Sequence, residues 1–436
     1  MGSLIISLNT VWVLLTGAMV FLMEGGFAAL EAGFVRSKNA MNVVMKVFMD
    51  SSLGILGFFL VGFAVMFGPN WMGILGTGGF ALRGVSFLSG LPPWALWFFE
   101  AGFAIAMVSI VSGAVAERMR FSPYMVFAFL GTALIYPVAG HWVWGPGGWL
   151  GALGMRDYAG SAVVHAAGGA AALAAIILLG PRRGKYNADG SANVLPASNL
   201  PLAAAGAFIL WFGWFGFNAG SSLAATNSDI SLVAANTLIA SAVGGVLGTL
   251  WTMLKYKKAD PSMTINGVLA GLVAVTAPCA YVSPAGAAAI GLVAGVLVVE
   301  AVGWVDRAHL DDPVGAVAVH GFGGAFGTLS VGLFAIKGGL FYGGGLHSLL
   351  IQALGLVCVA GWSFVATYGL FYLLKRTVGI RVSADEEDQG LDIGEHGVPA
   401  YAHGWTEPNV FPSDLSQGYP QVVRHAVTAT DAAEGG

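Results

Sequence analysis

The sequence Asp157-Tyr-Ala-Gly-Ser-Ala-Val-Val-His165-Ala-Ala-Gly-Gly-Ala170 returns 155 residues later as Asp312-Pro-Val-Gly-Ala-Val-Ala-Val-His320-Gly-Phe-Gly-Gly-Ala325. The Asp, the first Gly, the Val before the His, the His and the Gly-Gly-Ala keep the same offsets in both copies. Both copies run into long apolar stretches. An ionisable side chain inside a membrane is costly and usually functional, and transport folds often build midplane sites from internal repeats. The repeat therefore predicts one central membrane site formed by His165 and His320.

The composition is that of an all-α polytopic membrane protein. Of the 436 residues, 56% are hydrophobic and 10% are charged, whereas soluble domains average roughly 25% charged residues. The formal net charge of −4 is too small to indicate a nucleic-acid partner. Cys279 and Cys358 both lie in apolar runs, so we expect packing residues with no disulfide or metal site. No charged leader precedes the first apolar run, so no separate signal peptide is expected.

Eleven apolar stretches are long enough to span a bilayer, which takes about 20 residues. They fall near residues 8–33, 42–67, 94–115, 121–140, 160–180, 201–221, 231–254, 263–282, 285–304, 314–334 and 346–374. The odd-numbered connections and the segment after the last span carry fourteen Lys and Arg, and the even-numbered connections carry three. Because basic loops stay in the cytoplasm, we expect an external amino terminus and a cytoplasmic carboxyl terminus.

This topology makes the duplication an inverted repeat. His165 lies on the fifth span and His320 on the tenth, so spans 1–5 (about 8–180) and 6–10 (about 201–334) run in opposite directions. Each His follows its Asp by eight residues, about 12 Å along a helix, which is close to half of a ~30 Å hydrocarbon core. The eleventh span is expected to brace the bundle. We therefore divide the chain into a transmembrane domain, 1–381, and a cytoplasmic tail, 382–436.

Several separated motifs resemble the ammonium transporter family (Amt/MEP/Rh) over residues from about 10 to 402. Besides the two histidine segments, they are Gly26-Phe-Ala-Ala-Leu-Glu-Ala-Gly33, Val35-Arg-Ser-Lys-Asn39, Ala116-Glu-Arg-Met-Arg-Phe121, His141-Trp-Val-Trp144, Trp214-Phe-Gly-Phe-Asn-Ala-Gly-Ser221 and Gly390-Leu-Asp-Ile-Gly-Glu-His-Gly397. The resemblance implies a channel or transporter for ammonium and methylammonium, with no enzymatic activity and no cofactor. It also implies a homotrimer in the plasma (inner) membrane.

The resemblance also implies roles for individual residues. Trp144, Phe103 and Ser221 correspond to an external recruitment site, and Phe103 and Phe217 to a stacked phenyl gate. His165 and His320 correspond to a twin-histidine pore element. The family Asp that matches Asp157 acts through the fold and the vestibule electrostatics, although the pattern alone is equally compatible with a helix N-cap. Its repeat mate Asp312 is expected to be structural.

The chemistry of these residue types suits the implied roles. A cation over aromatic faces gains about 0.5–2 kcal/mol, and two adjacent imidazoles share a proton because one nitrogen donates while the other accepts. Glu100 departs from the neutral amide or small residue expected there, and either draws cations in or pairs with a neighbour. Among other charges, we expect Glu31, Lys46 and Asp50 to pair between helices, and Asp306 and Asp311 to be solvated.

The tail motif Gly390–Tyr401 resembles the family's cytoplasmic regulatory segment, with Gly390, Asp392, Glu395, His396 and Gly397 as its marked residues. The resemblance implies contact between neighbouring subunits and control by a PII-type nitrogen-signalling protein. Two other functions compete with transport. His165 and His320 on facing helices also suit the axial ligation of a haem, and a pore fold that reports ammonium to the tail without conducting it is a sensor.

Overall fold

The computed structural model describes residues 2–86, 88 and 90–401, and these form a helical bundle. We label its principal helices α1 to α11 in chain order. Their bounds are Gly2–Phe34, Ser37–Phe67, Pro93–Ala114, Phe121–Ala152, Ser161–Leu179, Leu200–Gly220, Ile230–Tyr256, Pro261–Thr276, Pro284–Arg307, Val317–Phe334 and His347–Thr377. Two short helices, α12 (Ala384–Gln389) and α13 (Leu391–His396), follow. Two antiparallel strands of two residues each, Asn70–Trp71 and Leu75–Gly76, pair as a short hairpin.

The prediction of a polytopic all-α membrane protein is confirmed. Within the described residues, ten of these helices are long and apolar enough to cross a membrane, and α8 is a shorter apolar helix of 16 residues. Each predicted span overlaps one helix, but the count of eleven crossings stays a prediction because α8 is short for a bilayer. The domain division at residue 381 also stays a prediction. Residues 402–436 of the predicted tail lie outside the described residues.

Contacts with α8 show that the two histidine helices run in opposite directions. Near the start of α8, the Asn266 side chain donates a hydrogen bond to the Val314 carbonyl, 3.4 Å away, just before α10. At its end, Ala277 accepts a bond from the Tyr158 amide and donates one to the Ser161 hydroxyl at the start of α5. Helices α5 and α10 therefore begin at opposite ends of α8, as an inverted repeat requires.

Both histidine helices begin with a π-helical turn, over Ser161–Ala166 and Val317–Phe322. The helices then cross through glycines that have no room for a side chain. A Cβ on Gly169 would overlap the backbone nitrogen of Gly321. A Cβ on Gly324, the repeat mate of Gly169, would lie 2.7 Å from the backbone nitrogen of Ala166. Since residues 166 and 321 are also repeat mates, each copy makes the same contact on the other.

This crossing predicts a graded response to added methyl groups. Gly169→Ala and Gly324→Ala should each destabilise the folded protein, because the clashing atoms are backbone atoms that cannot rotate away, and overpacking typically costs about 1–3 kcal/mol. Gly321→Ala is the matched control, since its Cβ would meet nothing closer than 3.6 Å. Thermal unfolding of the three purified variants in detergent checks the order. Equal stability of Gly169→Ala and Gly321→Ala would contradict the close crossing.

Candidate functional site

The two histidines meet directly in the interior. The Nδ1 atoms of His165 and His320 are 3.2 Å apart, and the rings are stacked with centroids 5.2 Å apart and an interplanar angle of 28°. Two nitrogens at this distance share one hydrogen, so one ring donates and the other accepts. The Nε2 atom of His165 is buried and has no hydrogen-bond partner. The pair therefore offers an unused polar atom inside an apolar interior.

The same geometry opposes a haem between the two rings. Metal–imidazole bonds of about 2 Å place two opposite nitrogen ligands about 4 Å apart, which is farther than the Nδ1 atoms of His165 and His320. The stacked rings also leave no space for a porphyrin between them. Aromatic side chains close the other sides of His165, with Trp214 stacked at 5.1 Å and Phe217 at 5.5 Å between ring centroids.

The predicted gate residues lie in direct contact. The rings of Phe103 and Phe217 are stacked with centroids 4.0 Å apart, and both are buried. Phe217 therefore touches both Phe103 and His165, so the phenyl pair adjoins the histidine pair.

A cavity of about 180 Å³ lies on the other side of Phe103. Its wall contains the predicted recruitment residues together with Glu100, and its lining residues are Phe67, Leu96, Phe99, Glu100, Phe103, Trp144, Tyr158, Ser221 and Leu223. Trp144 is held by a 2.7 Å hydrogen bond from its indole N–H to the Asp157 carbonyl. The Ser221 hydroxyl donates to the Phe217 carbonyl, so its oxygen lone pairs stay available to a ligand.

Asp157 caps the first turn of α5 from three residues before the N-cap position, which is Gly160. Its two carboxylate oxygens accept four backbone N–H bonds, each 2.9 Å long, from Gly160, Ser161, Ala162 and Val163. These bonds satisfy all the free donors of the first turn. Asp312 does the same for α10 through the amides of Ala316 and Val317, at 3.0 and 2.7 Å. The two aspartates hold the histidine helices in place from opposite ends.

Sequence reasoning missed Tyr158 as a cavity residue. Its hydroxyl is buried without a hydrogen-bond partner among the described residues, and its ring lines the 180 Å³ cavity. The internal repeat gave no signal for it, because the two copies differ at seven of their fourteen positions and Tyr158 against Pro313 is one difference among these.

A second buried polar cluster joins α1, α2, α3 and α4. The Ser109 hydroxyl lies 2.7 Å from Glu24 Oε2 and 3.2 Å from Asp50 Oδ2, and the Tyr124 hydroxyl donates to Asp50 at 2.8 Å. Asp50 therefore does pair between helices, as predicted, but its partners are the neutral hydroxyl groups of Ser109 and Tyr124. Glu24, which sequence reasoning left without a partner, belongs to the same cluster.

Glu31 and Lys46 likewise bond to neutral groups. Glu31 takes the Ser112 hydroxyl at 2.6 Å, and Lys46 donates to the Asn42 side-chain carbonyl at 2.8 Å. Within the described residues the ion pairs involve neither side chain. Glu31 on α1 therefore bonds to a neutral side chain on α3, as a pair between helices. Lys46 instead bonds to a neutral side chain of its own helix, α2.

The prediction that Asp311 is solvated is wrong. Asp311 is 2% exposed, and its carboxylate takes two guanidinium N–H bonds from Arg182, each 2.8 Å long. Although burial acts to raise it, Arg118 and Arg182 hold the pKa of Asp311 at about 2. Arg182 also binds Glu117 at 2.6 Å, and Arg36 binds the other Glu117 oxygen. Asp306 stays partly exposed beside Lys185, at 3.0 Å.

The tail docks against the start of α2. The Asp392 carboxylate accepts the backbone amides of Met41 and Asn42, at 3.1 and 2.7 Å, and so caps the helix. Gly390 adopts a φ of 110° where a Cβ would meet the Cβ of Lys38 at 2.6 Å, which explains the need for glycine. Gly397 ends α13 in the left-handed region, with a φ of 71°.

Two further tail residues contact the bundle. Glu395 accepts the Phe121 amide at 2.6 Å, and His396 Nε2 lies 3.0 Å from Asn42 Nδ2. Because Lys46 donates to the Asn42 carbonyl oxygen, the amide of Asn42 points its N–H₂ group at His396. The imidazole can accept that bond only when Nε2 carries no proton. Burial, and then the charge of Lys46, lower the pKa of His396.

Comparisons with known proteins match this chain to one family. The model of the Ammonium Transporter Family matches residues 11–401. Ammonium transporter Amt2 of Archaeoglobus fulgidus is 46% identical over 430 residues, which cover 94% of this chain and 91% of that protein. Ammonium transporter Amt2 of Methanocaldococcus jannaschii is 41% identical over 399 residues, covering 88% and 89% of the two chains.

Solved structures of the same shape exist. One named Sensor Amt Protein superposes with a TM-score of 0.87 at 42% identity, covering 91% of this chain and 100% of that chain. Mep2 of Candida albicans superposes with a TM-score of 0.81 at 29% identity, covering 87% of each chain.

The bond between Asn42 and His396 predicts that tail docking depends on pH. A pKa lowered in the docked state means that docking is fully favoured above the ordinary pKa of 6.5 and weakens as pH falls below it. Hydrogen exchange of the amides in residues 390–401 should therefore speed up between about pH 7.5 and about pH 5.5, either side of the ordinary histidine pKa, after correction for intrinsic rates. His396→Gln keeps an acceptor that does not titrate, and its protection should be the same at both values. An equal pH response in wild type and His396→Gln would contradict the role of this bond.

Proposed function

The chain belongs to the ammonium transporter family, whose members are transporters and not enzymes, and we propose that it moves ammonium across the plasma membrane. The route begins at the cavity lined by Trp144 and Ser221, which we call the outer cavity. It continues through the Phe103/Phe217 pair and the His165/His320 pair. The observation that carries this proposal is the 3.2 Å contact of two buried imidazoles next to a stacked phenyl pair. Polar atoms aligned in an apolar interior suit a small hydrogen-bonding solute.

Recruitment takes place at the outer cavity. The π faces of Trp144 and Phe103, whose ring centroids lie 6.2 Å apart at an interplanar angle of 84°, attract a cation. The Ser221 oxygen accepts one N–H bond from it. A cavity of about 180 Å³ is far larger than one ammonium ion, so methylammonium fits the same site.

Deprotonation takes place at or below the phenyl gate. A bare cation is expensive to hold in an apolar lumen, by several kcal/mol or more, whereas neutral ammonia loses little when it replaces hydrogen bonds to water by bonds to imidazole. Ammonia then passes His165 and His320 and is reprotonated on the inner side. The caps supplied by Asp157 and Asp312 keep both imidazoles in register.

The assembly and partners follow the family. We propose a homotrimer with one pore per subunit, an external amino terminus and a cytoplasmic tail. The docked segment formed by Gly390, Asp392, Glu395, His396 and Gly397 is the surface at which a PII-type protein regulates transport. The relative named Sensor Amt Protein favours a second candidate function, in which the same fold reports ammonium without conducting it.

One experiment separates the two functions. Protein reconstituted in liposomes is given an ammonium gradient, and the ammonium-induced current and the flux of labelled methylammonium are measured. A transporter raises the flux above that of empty liposomes. A pure sensor binds ammonium, measured by titration of the same preparation, and leaves the flux at the level of the lipid alone.

Loss of the Trp144 π face should weaken recruitment. Trp144→Leu is expected to raise the ammonium concentration for half-maximal uptake by roughly 2- to 30-fold, which corresponds to about 0.5–2 kcal/mol of cation–π attraction. Trp142→Leu is the matched control, because Trp142 donates to the Ile74 carbonyl and does not line the cavity. Uptake measured over a range of ammonium concentrations checks this, and an unchanged half-maximal concentration in Trp144→Leu would remove it from the site.

The histidine pair should behave as one unit. Removing either ring leaves the other imidazole buried and unsatisfied, at roughly 1–3 kcal/mol, so His165→Ala and His320→Ala should each lose selective ammonium flux. The double alanine variant should be little worse than either single variant, because coupled groups are not additive. His165→Glu should retain more flux than His165→Ala, since a carboxyl can also share a proton, and should admit other cations. Wild-type flux and selectivity in a folded double alanine variant would sink the mechanism.

A further inference from the structure

Glu100 is a buried acid at the edge of the outer cavity with no bond to hold it. It lies on α3 and is 7% exposed. It shares the wall of the 180 Å³ cavity with Trp144 and Ser221, and its Oε2 atom has no hydrogen-bond partner. Among the described residues no ion pair involves it. A buried carboxyl oxygen left without a partner requires an explanation, and a role in binding a ligand or an ion is one.

Asp157, the other acid beside this cavity, is already fully occupied. Its four backbone bonds use both carboxylate oxygens, and a proton placed on either oxygen would displace an N–H donor of α5. The remaining polar groups of the lining are the Tyr158 hydroxyl, the Ser221 hydroxyl and the Trp144 indole, and none of these is a base near neutral pH. Glu100 is therefore the available proton acceptor in the lining.

The neighbouring titratable groups leave the carboxylate of Glu100 without a competing cation. The hydroxyl of Tyr136 on α4 is buried without a partner among the described residues. Tyr158 carries a second such hydroxyl. Besides Glu100, the cavity lining formed by the described residues contains the phenol Tyr158 and no Lys, Arg or His, so a cation that enters the cavity meets no competing positive side chain in its wall.

Resting on the proposed transport function, we propose that Glu100 is the base that takes the proton from ammonium before the gate. One N–H bond of ammonium breaks, its electron pair stays on nitrogen, and an O–H bond forms on Glu100. The ion and the carboxylate, one positive and one negative, become neutral ammonia and a neutral carboxylic acid. Ammonia goes on towards Phe103, and the acid returns its proton to a solvent water on the outer side, as H₃O⁺, which regenerates the carboxylate.

Kinetics distinguish a base from a mere attractor. If Glu100 takes the proton, Glu100→Gln lowers the maximal uptake rate by roughly 100-fold, the scale of a general base, and changes the half-maximal ammonium concentration little. The wild-type rate falls as acidity protonates Glu100, and the residual rate of Glu100→Gln lacks that acid limb. Glu100→Asp, which keeps a carboxylate, retains more rate than Glu100→Gln. These results together support the proposal.

The contrary result is equally specific. An attractor acts through its charge, so Glu100→Gln would raise the half-maximal concentration, most strongly at low ionic strength, and leave the maximal rate and the acid limb intact. That outcome overturns the proton transfer. Should Glu100→Gln fail to fold, judged by size exclusion and thermal unfolding, the acid limbs of wild type and Glu100→Asp are compared. A shifted limb supports the proposal, and superimposable limbs overturn it.

The same assay separates this inference from the function beneath it. Wild-type protein that carries no more labelled methylammonium than empty liposomes shows that the transport function itself is wrong. Wild-type protein that transports, together with Glu100→Gln at the full maximal rate, shows that transport stands and that Glu100 is not the base.

Discussion

A polar group removed from water must find a hydrogen-bond partner, and this constraint organises the whole interior. In hydrocarbon an unsatisfied donor or acceptor costs several kcal/mol. The carboxylates of Asp157 and Asp312 therefore close the helix ends, and the imidazoles of His165 and His320 turn to one another. Two of the buried atoms without partners among the described residues, His165 Nε2 and Glu100 Oε2, lie along the proposed route. Others, such as Glu24 Oε1 and Asn236 Oδ1, lie away from it, so a missing partner alone does not mark the route.

Much of the architecture could be predicted from the sequence because it follows from local patterns. Apolar length gives the spans, and the repeated Asp-to-His spacing gives two helices whose histidines meet. Tyr158 and Glu24 escaped prediction for a different reason. Their surroundings are made by residues distant in the chain, such as Ser109, which is 85 positions from Glu24. Asp311 was misjudged in the same way, because its partner Arg182 lies 129 residues away.

The proposed recruitment site and gate also depend on contacts between distant parts of the chain, which local sequence patterns do not reveal. Phe99, Phe103 and Met107 follow a helical period, and an aromatic stripe of this kind is more often core or lipid contact than part of a functional site. Only resemblance to the family selected Phe103 as a gate. The 4.0 Å stack on Phe217 depends on how α3 and α6 approach, and that approach comes from packing through the whole bundle. The tail follows the same logic, since Asp392 caps a helix about 350 residues earlier in the chain.

The glycine crossing also records how a duplicated half diverges. Two copies inside one chain are free to change separately, unlike the identical subunits of a symmetric dimer. Yet Gly169 and Gly324 are the same residue, at positions where a methyl group would strike backbone. Positions 166 and 321 have drifted apart to Ala and Gly, and there a methyl group has space. Within one chain, the two repeats thus show which positions accept a methyl group and which do not. The distance from each Cα to the backbone of the crossing helix decides between them.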